Sequence, residues 1–488
     1  MAKPMIRLLS DEEVRRMRAA VLGVLEEYGV EIIHDEAQAM LESHGAKVDK
    51  QTNIVRIPAA LSEQCNRRLP KEFVLGGRNV EDDMVLAPDC ERCYGRPASG
   101  EEYFVDPRTL EHRKINREDV KDWAILLDAL ENIDILGGGV YNEPGLNLNA
   151  RDVRSLAISL ENTSKHIFCQ PYGKLNQKYM IELGIAERGS AEEFKKRPRF
   201  SNIISSVPPL QWHKNSVDLI IQCGKYGIPV KDCPMPICGA AAPVTLPGCA
   251  LMTMAEHMAC VVITQLFNPN TPVIFGEVTT CMDMKSGTAL LNSIENAILS
   301  PMMIQVGREG FGWHVDAVGP LSDSAICDGQ AMIEACFNTI LASLAGPCGM
   351  MGAGNLETGN ILDPMKLVID DEIFGMVHRM LREVKVDDDT LGLDVIERVG
   401  IGSRKNYLVD EHTRKHFKTE FHKQKLFTHL SRALWDQGGR KDIYQRAQER
   451  VLQILEEHKP MTLDGAILKE IRAISERAEA KIKETTTV

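Results

Sequence analysis

Seven short apolar segments alternate with helical segments between residues 116 and 385, and this alternation constrains the fold more than any other feature. Strands that alternate with helices pair in parallel through right-handed crossovers. Seven repeats favour a closed (β/α)8 barrel (a TIM barrel) over an open sheet, with an eighth strand supplied by residues 407–409 or by the N-terminal residues. The predicted strands are residues 133–136, 166–170, 201–205, 228–231, 273–276, 312–318 and 348–351.

The alternation divides the chain into three zones. Residues 1–115 mix helical and short strand signals broken by proline and glycine, and we predict a mixed N-terminal extension. Residues 116–410 carry the predicted barrel, and residues 411–488 have a helical pattern. We interpret the last zone as a packed helical cap or an oligomer contact.

Composition excludes several classes of protein. The net charge of −12 argues against binding to a nucleic-acid backbone. The most apolar stretch, residues 248–267, contains Glu256 and His257, and the N-terminus has no apolar signal region, so we expect no membrane segment. Thirteen cysteines without framework spacing indicate reduced thiols and a cytoplasmic protein.

The residues at the predicted strand ends form a set of motifs. The motifs read "FCQPYG" (168–173), "SSVPPLQW" (205–212), "CPMPICGAAAPVTLPG" (233–248), "FGEVTT" (275–280), "LSDSAICDGQAMIEA" (321–335) and "LDPMKLVIDDEIFGMV" (362–377). Together with "GAKVD" and "VRIP" near the N-terminus, they resemble the trimethylamine methyltransferase family of corrinoid-dependent enzymes along the whole chain. The motifs at 321–335 and 362–377 are the most specific.

The resemblance implies a barrel enzyme that moves a methyl group from an amine to the cobalt of a corrinoid (cobalamin) carried by a separate partner protein. Founding members of the family carry pyrrolysine in the segment that here spans residues 321–330, where this chain has standard residues and Ala325 near the corresponding place. This departure indicates the branch that demethylates quaternary amines such as glycine betaine, proline betaine or carnitine. A homo-oligomer is expected.

The chemistry of a quaternary amine points the same way. Its nitrogen is already positively charged and leaves as a neutral tertiary amine, so displacement by Co(I) needs positioning rather than a proton donor. With no N–H to donate, the ammonium must be recognised by aromatic faces and carboxylates. The carboxylate of a betaine needs a separate cationic donor, preferably arginine.

Candidate binding residues follow from position near strand ends. Trp212 and Trp313 each stand beside a histidine, and each could be a cage wall or a core side chain. Because side chains alternate along a strand, only one of Trp313 and His314 can face the barrel interior. The predicted substrate-binding residues are Trp313, His314, Phe275, Glu277, Trp212, Tyr172 and Ala325.

Two other functions stay open. The first is a zinc-dependent methyltransferase acting on methanol or thiols. The lone CxxC of Cys90 and Cys93 and the Cys-x4-Cys of Cys233 and Cys238 lack the further ligands of a zinc site, so no metal is expected in this chain. The second is a non-catalytic betaine-binding protein. Corrinoid turnover separates it from an enzyme.

Overall fold

A computed structural model describes residues 6–87, 92–402 and 406–486, with side chains up to residue 483. Eight parallel strands form one sheet that closes on itself as a barrel. The closure lies between β1 and β2, where Asp134 N donates a 2.8 Å hydrogen bond to Gly95 O. The strands are β1 (Tyr94–Arg96), β2 (Ile135–Leu136), β3 (His166–Cys169), β4 (Phe200–Ile204), β5 (Val230–Asp232), β6 (Val273–Gly276), β7 (Val315–Val318) and β8 (Gly349–Met351).

The barrel fold predicted from the alternation is confirmed, and the missing strand comes from the N-terminal residues. β1 pairs with β8 in parallel, so the barrel begins before the boundary predicted at residue 116. The alternative strand at Tyr407–Val409 is wrong: these residues form a short 3-10 turn. Their side chains are exposed and their backbone pairs with no strand, whereas a barrel strand is paired on both sides and buried.

One helix of the outer layer follows each barrel strand, and a further short helix, Ala191–Lys196, lies between α3 and β4. The outer-layer helices that follow the strands are α1 (Arg117–Ala129), α2 (Arg151–Asn162), α3 (Lys174–Arg188), α4 (Lys214–Tyr226), α5 (Leu246–Phe267), α6 (Ile294–Gln305), α7 (Gly329–Ala345) and α8 (Pro364–Leu381). By length and composition α5 could cross a membrane, but it packs between α4, α6 and the N-terminal helices and is mostly buried. A helix that is apolar all round and enclosed by protein is a core helix.

The N-terminal extension covers one side and the N-terminal end of the barrel. Its helices are Asp11–Gly23, Asp35–Ser43 and Ala59–Asn66, and its strands Val30–Ile32, Lys47–Asp49 and Ile54–Arg56 form a sheet with Gln211–Trp212. A hairpin of Phe73–Leu75 and Met84–Leu86 packs on Ile135, Ile274 and Cys348 of the barrel interior. This hairpin therefore plugs the end of the barrel opposite the strand C-termini.

Short strands lie in the loops at the C-terminal end of the barrel. Tyr103–Val105 pairs with His112–Lys114 and with Ile361–Leu362, which in turn pairs with Asn355–Leu356. Ile237–Cys238, Thr280–Met282 and Ala289–Leu290 form a separate three-stranded sheet. These pieces narrow the access to the barrel mouth from the β1 and β5 sides.

The predicted strand 312–318 is shorter than expected. A π-helical turn, Val306–Phe311, extends α6, and Gly312 ends it with a left-handed φ of 74° that favours glycine. β7 therefore begins at Val315, and Trp313 and His314 lie before its N-terminal end. The alternation rule does not apply to these two residues.

The residues after the barrel are mainly helical. They form Asp388–Leu391, Leu393–Val399, Glu411–Glu420, Arg432–Gln437, Ile443–Glu457 and Gly465–Thr486. Ile443–Glu457 packs on α8 and α1, and Gly465–Thr486 packs on α2 and α3. The last two helices thus complete the outer layer of the barrel.

Candidate functional site

A cavity of about 50 Å³ opens at the C-terminal ends of β1, β2 and β3. This is the end of a (β/α)8 barrel at which active sites are built. Four aromatic rings and two carboxylates from the loops and the flanking helices line it. They belong to Phe104, Trp123, Phe168, Tyr172, Asp119 and Asp152.

Glycines at the end of β2 shape this cavity. Trp123 Nε1 on α1 donates a 2.9 Å hydrogen bond to Gly137 O, which fixes the indole beside the strand. A Cβ placed on Gly138 would lie 2.9 Å from the Trp123 ring, so a side chain there would push the indole away. Close packing of α1 thus requires Gly138, whereas Gly137 is required by the backbone at Ala98 and Gly139 by the Ile115 side chain.

Asp152 is the carboxylate at the centre of the lining. It lies in the first turn of α2 and is 4% exposed. Its Oδ1 accepts hydrogen bonds from Asn176 Nδ2 at 2.7 Å and Val153 N at 2.9 Å, and its Oδ2 accepts from Tyr172 N at 2.9 Å. Burial raises the pKa of Asp152 to about 6. Within the described part of the chain Asp152 makes no ion pair, so a cation in the cavity would stabilise its ionised form.

Tyr172 lies on the rim of the cavity. Its ring is 37% exposed, and the Arg151 guanidinium lies 5.2 Å from the ring centroid. Arg151 Nε donates a 2.6 Å hydrogen bond to Tyr172 Oη, and its Nη1 donates to Glu102 at 2.8 Å. This predicted residue therefore lines the cavity, with an arginine on its solvent side.

Glu101 is a second buried carboxyl group near the mouth. Its Oε1 accepts a 2.7 Å hydrogen bond from Asn355 Nδ2, while its Oε2 has no hydrogen-bond partner among the described residues. Burial raises its pKa to about 7. The group follows Gly100, which lines the cavity, and it can hold or release a proton near neutral pH.

An ion cluster fills the middle of the barrel. Asp316 on β7 accepts hydrogen bonds from Arg96 on β1 at 2.8 and 3.0 Å, and Lys231 on β5 pairs with the same oxygen. Burial opposes ionisation of Asp316, but the two cations hold its pKa below the usual value. Burial also lowers the pKa of Lys231. The cluster joins three strands across the barrel interior.

An apolar layer covers this cluster on the side of the mouth. Its six buried residues come from the ends of β5 to β8 and the loops that follow, and they are Cys233, Val278, Leu291, Val318, Leu321 and Met351. The cavity at β1–β3 therefore lies to one side of this layer.

Glu277 and Ala325 lie at the C-terminal end but outside the cavity lining. Glu277 Oε2 accepts a 2.8 Å hydrogen bond from Ser300 on α6, and burial raises its pKa well above the usual value. Ala325 is exposed in the loop after β7. Asp323 anchors this loop by accepting hydrogen bonds from Leu291 N at 3.0 Å and Asn292 N at 2.8 Å.

Four predicted residues lie outside the cavity lining. Phe275 and Trp313 stack at a centroid distance of 4.1 Å outside the barrel, and Trp313 Nε1 donates to Asn66 Oδ1 at 2.6 Å. His314 Nε2 donates to Lys71 O at 2.9 Å near the plugged end. Trp212 lies in the loop between β4 and α4, where it is fully buried and pairs with Ile32 of the extension. All four side chains are buried, which corresponds to the core alternative.

The sequence did not single out Asp152, Phe168 or Trp123. Asp152 has the position of an ordinary carboxylate near a helix N-terminus, which is favourable without any ligand. Phe168 stood inside the "FCQPYG" motif beside Tyr172, and this neighbourhood was the available signal. Trp123 gave none, since a tryptophan within a helix is most often a core residue.

Among residues 6–87, 92–402 and 406–486, no group of three or more histidine, cysteine, aspartate or glutamate side chains is arranged to hold a metal ion. Cys90, one half of the CxxC, lies outside the described residues. Cys233 and Cys238 are free thiols.

Comparison with known proteins identifies a methyltransferase. The chain belongs to the trimethylamine methyltransferase (MTTB) family, whose model matches residues 1–483. It is 32% identical over 471 residues to the trimethylamine methyltransferase MttB of Desulfitobacterium hafniense (strain DSM 10664 / DCB-2), covering 96% of this chain and 93% of that protein. It is 30% identical to MttB of Methanosarcina barkeri (strain Fusaro / DSM 804), covering 97% and 95%.

Another relative has a different named substrate. The glycine betaine methyltransferase of Desulfitobacterium hafniense (strain Y51) is 27% identical over 474 residues, with 96% of each chain covered. Among solved structures, the monomethylamine methyltransferase MtmB of Methanosarcina barkeri overlays 93% of this chain and 96% of its own at 13% identity and a TM-score of 0.48.

Proposed function

We propose that this enzyme transfers a methyl group from a quaternary amine of the betaine type to the Co(I) of a separate corrinoid protein in the cytoplasm. Glycine betaine, proline betaine and carnitine are the candidate substrates. The observation that carries the proposal is the cavity at β1–β3. There the carboxylate of Asp152, which forms no ion pair with a described residue, lies among aromatic rings.

The cavity has the chemistry that a quaternary ammonium requires. Such a cation donates no hydrogen bond, so aromatic faces and a nearby negative charge are its means of recognition. Each aromatic face contributes about 0.5–2 kcal/mol. Phe104, Trp123 and Tyr172 supply faces, and Asp152 supplies the charge. The Phe168 ring also lines the cavity, but the Arg96 guanidinium lies 4.8 Å from its centroid. Arg151, beside Tyr172, is a suitable partner for the carboxylate of a betaine.

The reaction needs little from the protein beyond position. The corrinoid supplies a nucleophilic Co(I) whose electron pair forms the bond to the methyl carbon. The carbon–nitrogen bond breaks at the same time, and its electron pair stays on nitrogen, which leaves as a neutral tertiary amine. No proton is transferred, so the work of the cavity is to aim one methyl group out of the mouth.

The loop after β7 supports a quaternary substrate. Family members with pyrrolysine carry it in this segment. In this chain the exposed Ala325 stands near the corresponding position and has no reactive side chain. A substrate with its own leaving group fits a site that lacks such a residue.

A panel of amines tests the proposal. Purified enzyme is incubated with cob(I)alamin and with glycine betaine, proline betaine, carnitine, trimethylamine, methanol or a thiol, and the absorbance of cob(I)alamin is followed. We expect turnover with at least one quaternary amine. Turnover of methanol or a thiol instead, with stoichiometric zinc in the protein, would contradict it.

A substitution tests the cavity itself. Asp152→Asn removes the negative charge but keeps an acceptor for Tyr172 N, so we expect at least a tenfold rise in the Kd of the quaternary amine, measured by calorimetry. Asp371→Asn is the matched control, because Asp371 is equally buried, on α8, and does not line the cavity. Equal affinity in both variants would place the amine elsewhere.

A further inference from the structure

The wall of the cavity formed by α2 carries polar side chains at increasing depth. Asp152, Ser155 and Ser159 all line the cavity, and their spacing of three and four residues places them on one face of the helix. A helix that connects two parallel strands runs antiparallel to them, so the first turn of α2 lies at the mouth and its later turns lie deeper. Along the helix axis Ser155 therefore lies about 4.5 Å further from the mouth than Asp152.

Ser155 carries an unpaired hydroxyl group. The residue is 8% exposed, and its Oγ has no hydrogen-bond partner among the described residues. The hydroxyl of Ser159, by contrast, donates a 2.9 Å hydrogen bond to the backbone oxygen of Ser155. A buried hydroxyl without a partner lowers stability, and a ligand that hydrogen bonds to it removes this cost. The wall at Ser155 thus favours a polar group of a ligand.

The deeper part of the cavity offers no positive charge. None of the described residues that line the cavity is a lysine, an arginine or a histidine. The two arginines near the start of α2 are turned away, because Arg151 binds groups at the rim and Arg154 pairs with Glu479 of the last helix. A carboxylate buried beside Ser155 would lack a counter-ion, which is costly, whereas a hydroxyl needs only a hydrogen bond. The depth of Ser155 therefore favours a neutral polar group.

We propose that the cavity accepts, besides the betaines, a quaternary ammonium whose tail ends in a hydroxyl group two carbons from the nitrogen. The ammonium lies at Asp152, and the hydroxyl forms a hydrogen bond with Ser155 Oγ. Cβ atoms three residues apart on a helix are separated by about 5–6 Å, a distance that this short tail bridges. The inference rests on the proposed function of the site, and it extends the substrate class to quaternary amino alcohols.

This orientation suits methyl transfer. With the tail directed inward, the three methyl groups of the ammonium lie on the mouth side, from which the cobalt must approach. A betaine that binds Arg151 keeps its carboxylate at the rim, beside its methyl groups. In the step itself one methyl group passes to Co(I), the electron pair of the broken carbon–nitrogen bond stays on nitrogen, and a neutral dimethylamino alcohol leaves. No proton is transferred.

The binding of two matched amines tests the role of the hydroxyl. Choline and propyltrimethylammonium have the same charge and nearly the same shape, but choline has a hydroxyl where the other amine has a methyl group. We expect calorimetry of the wild type to give a Kd at least fivefold lower for choline, because a hydrogen bond between neutral groups contributes about this factor. Equal affinities for the two amines would overturn the proposal.

Ser155→Ala removes the hydroxyl from the cavity wall. The preference for choline should then fall below about twofold, and a preference that persists would overturn the assignment to Ser155. Ser62→Ala is the matched control, because Ser62 Oγ is also buried without a partner among the described residues but lies in the N-terminal extension. This control should keep the wild-type preference. Unchanged circular dichroism shows that each variant is folded.

Turnover separates this inference from the proposed function. Purified enzyme is incubated with cob(I)alamin and either choline or a betaine, and the consumption of cob(I)alamin is followed. We expect choline to react, and Ser155→Ala to lower its kcat/KM at least about fivefold. Turnover of betaines alone would overturn the inference and leave the proposed function intact. Binding of choline that depends on Ser155, without turnover of any quaternary amine, would support the position of the hydroxyl and contradict the proposed function.

Discussion

Asp152 makes the binding of a cation dependent on pH. Its pKa is raised to about 6 by burial, so the carboxylate is ionised above this pH and neutral below it. A quaternary ammonium has no proton to lose. The affinity for the amine should therefore be constant above pH 7 and should fall about tenfold per unit well below pH 6. Calorimetry from pH 5 to pH 8 measures the profile.

The same titration in Asp152→Asn provides the control. That variant should bind weakly at every pH and show no inflection near pH 6. An inflection that persists in the variant would assign the pH dependence to another group, and Glu101, with a pKa of about 7, is the nearest candidate.

Trp313 offers a second test at the residue scale. Its ring stacks on Phe275 and Phe311, and its Nε1 hydrogen bonds to Asn66, all away from the mouth. Trp313→Ala should lower the free energy of unfolding by about 3–5 kcal/mol. The affinity of the folded variant for the amine should be unchanged. Urea unfolding and calorimetry measure both, and a loss of affinity without a loss of stability would restore the cage interpretation.

The residue chemistry of the site was predictable in kind but only partly in position. The sequence indicated aromatic faces and a carboxylate. Of the seven predicted substrate-binding residues, Tyr172 lies in the cavity lining. Trp313 and Phe275 were chosen for their place near a strand, but a tryptophan has the same sequence signal in a core as in a cage. Only packing of the extension, through Asn66, decides between the two.

At the scale of elements, β7 joins the barrel centre to the mouth. Its Asp316 holds Arg96 and Lys231 from two other strands. Asp316→Asn leaves two buried cations without a carboxylate, so we expect the free energy of unfolding to fall by about 3–5 kcal/mol. Glu309→Gln breaks the exposed pair with Arg7 and should cost about 0–1 kcal/mol. Equal effects in urea unfolding would show that the cluster contributes no more than a surface pair.

The loop that follows β7 gives the second prediction at this scale. Ala325 is exposed, so Ala325→Phe should fold and assemble like the wild type. If the loop borders the path of the corrinoid to the substrate, the larger ring should reduce methyl transfer at least tenfold. Ala325→Ser is the control and should keep activity. Full activity in Ala325→Phe would show that the loop points away from the site.

The limits of each element followed less directly from the sequence. Segment 273–276 was predicted without error, because a short buried run bounded by proline and glycine leaves little choice. The start of the strand predicted at residues 312–318 was wrong, because an apolar pattern such as Phe311 to His314 occurs both in strands and in helical turns like the one that extends α6. The strand β1 was missed because Tyr94–Arg96 is three residues long and contains a glycine.

For the whole molecule, the barrel places two different charge environments close together. In the barrel centre Arg96 and Lys231 pair with Asp316, whereas Asp152 in the cavity makes no ion pair with a described residue. We therefore expect a positive ligand to bind on the β1–β3 side. This arrangement depends on distant strands meeting in space, which no single segment of the sequence encodes.

The choice between substrates follows from this arrangement. A quaternary amine carries its positive charge at every pH and leaves as a neutral amine, so it needs only Asp152, the aromatic faces and alignment with the cobalt. Trimethylammonium has the same charge, but it can give up its proton. Neutral trimethylamine would then have to release a dimethylamide anion, which is a poor leaving group for attack by Co(I). We expect turnover of a betaine to exceed that of trimethylamine at least a hundredfold in kcat/KM, a difference of about 2.7 kcal/mol in transition-state stabilisation. Initial rates of cob(I)alamin consumption with each amine measure the ratio, and comparable rates would contradict the quaternary assignment while leaving the family and the fold of the enzyme unaffected.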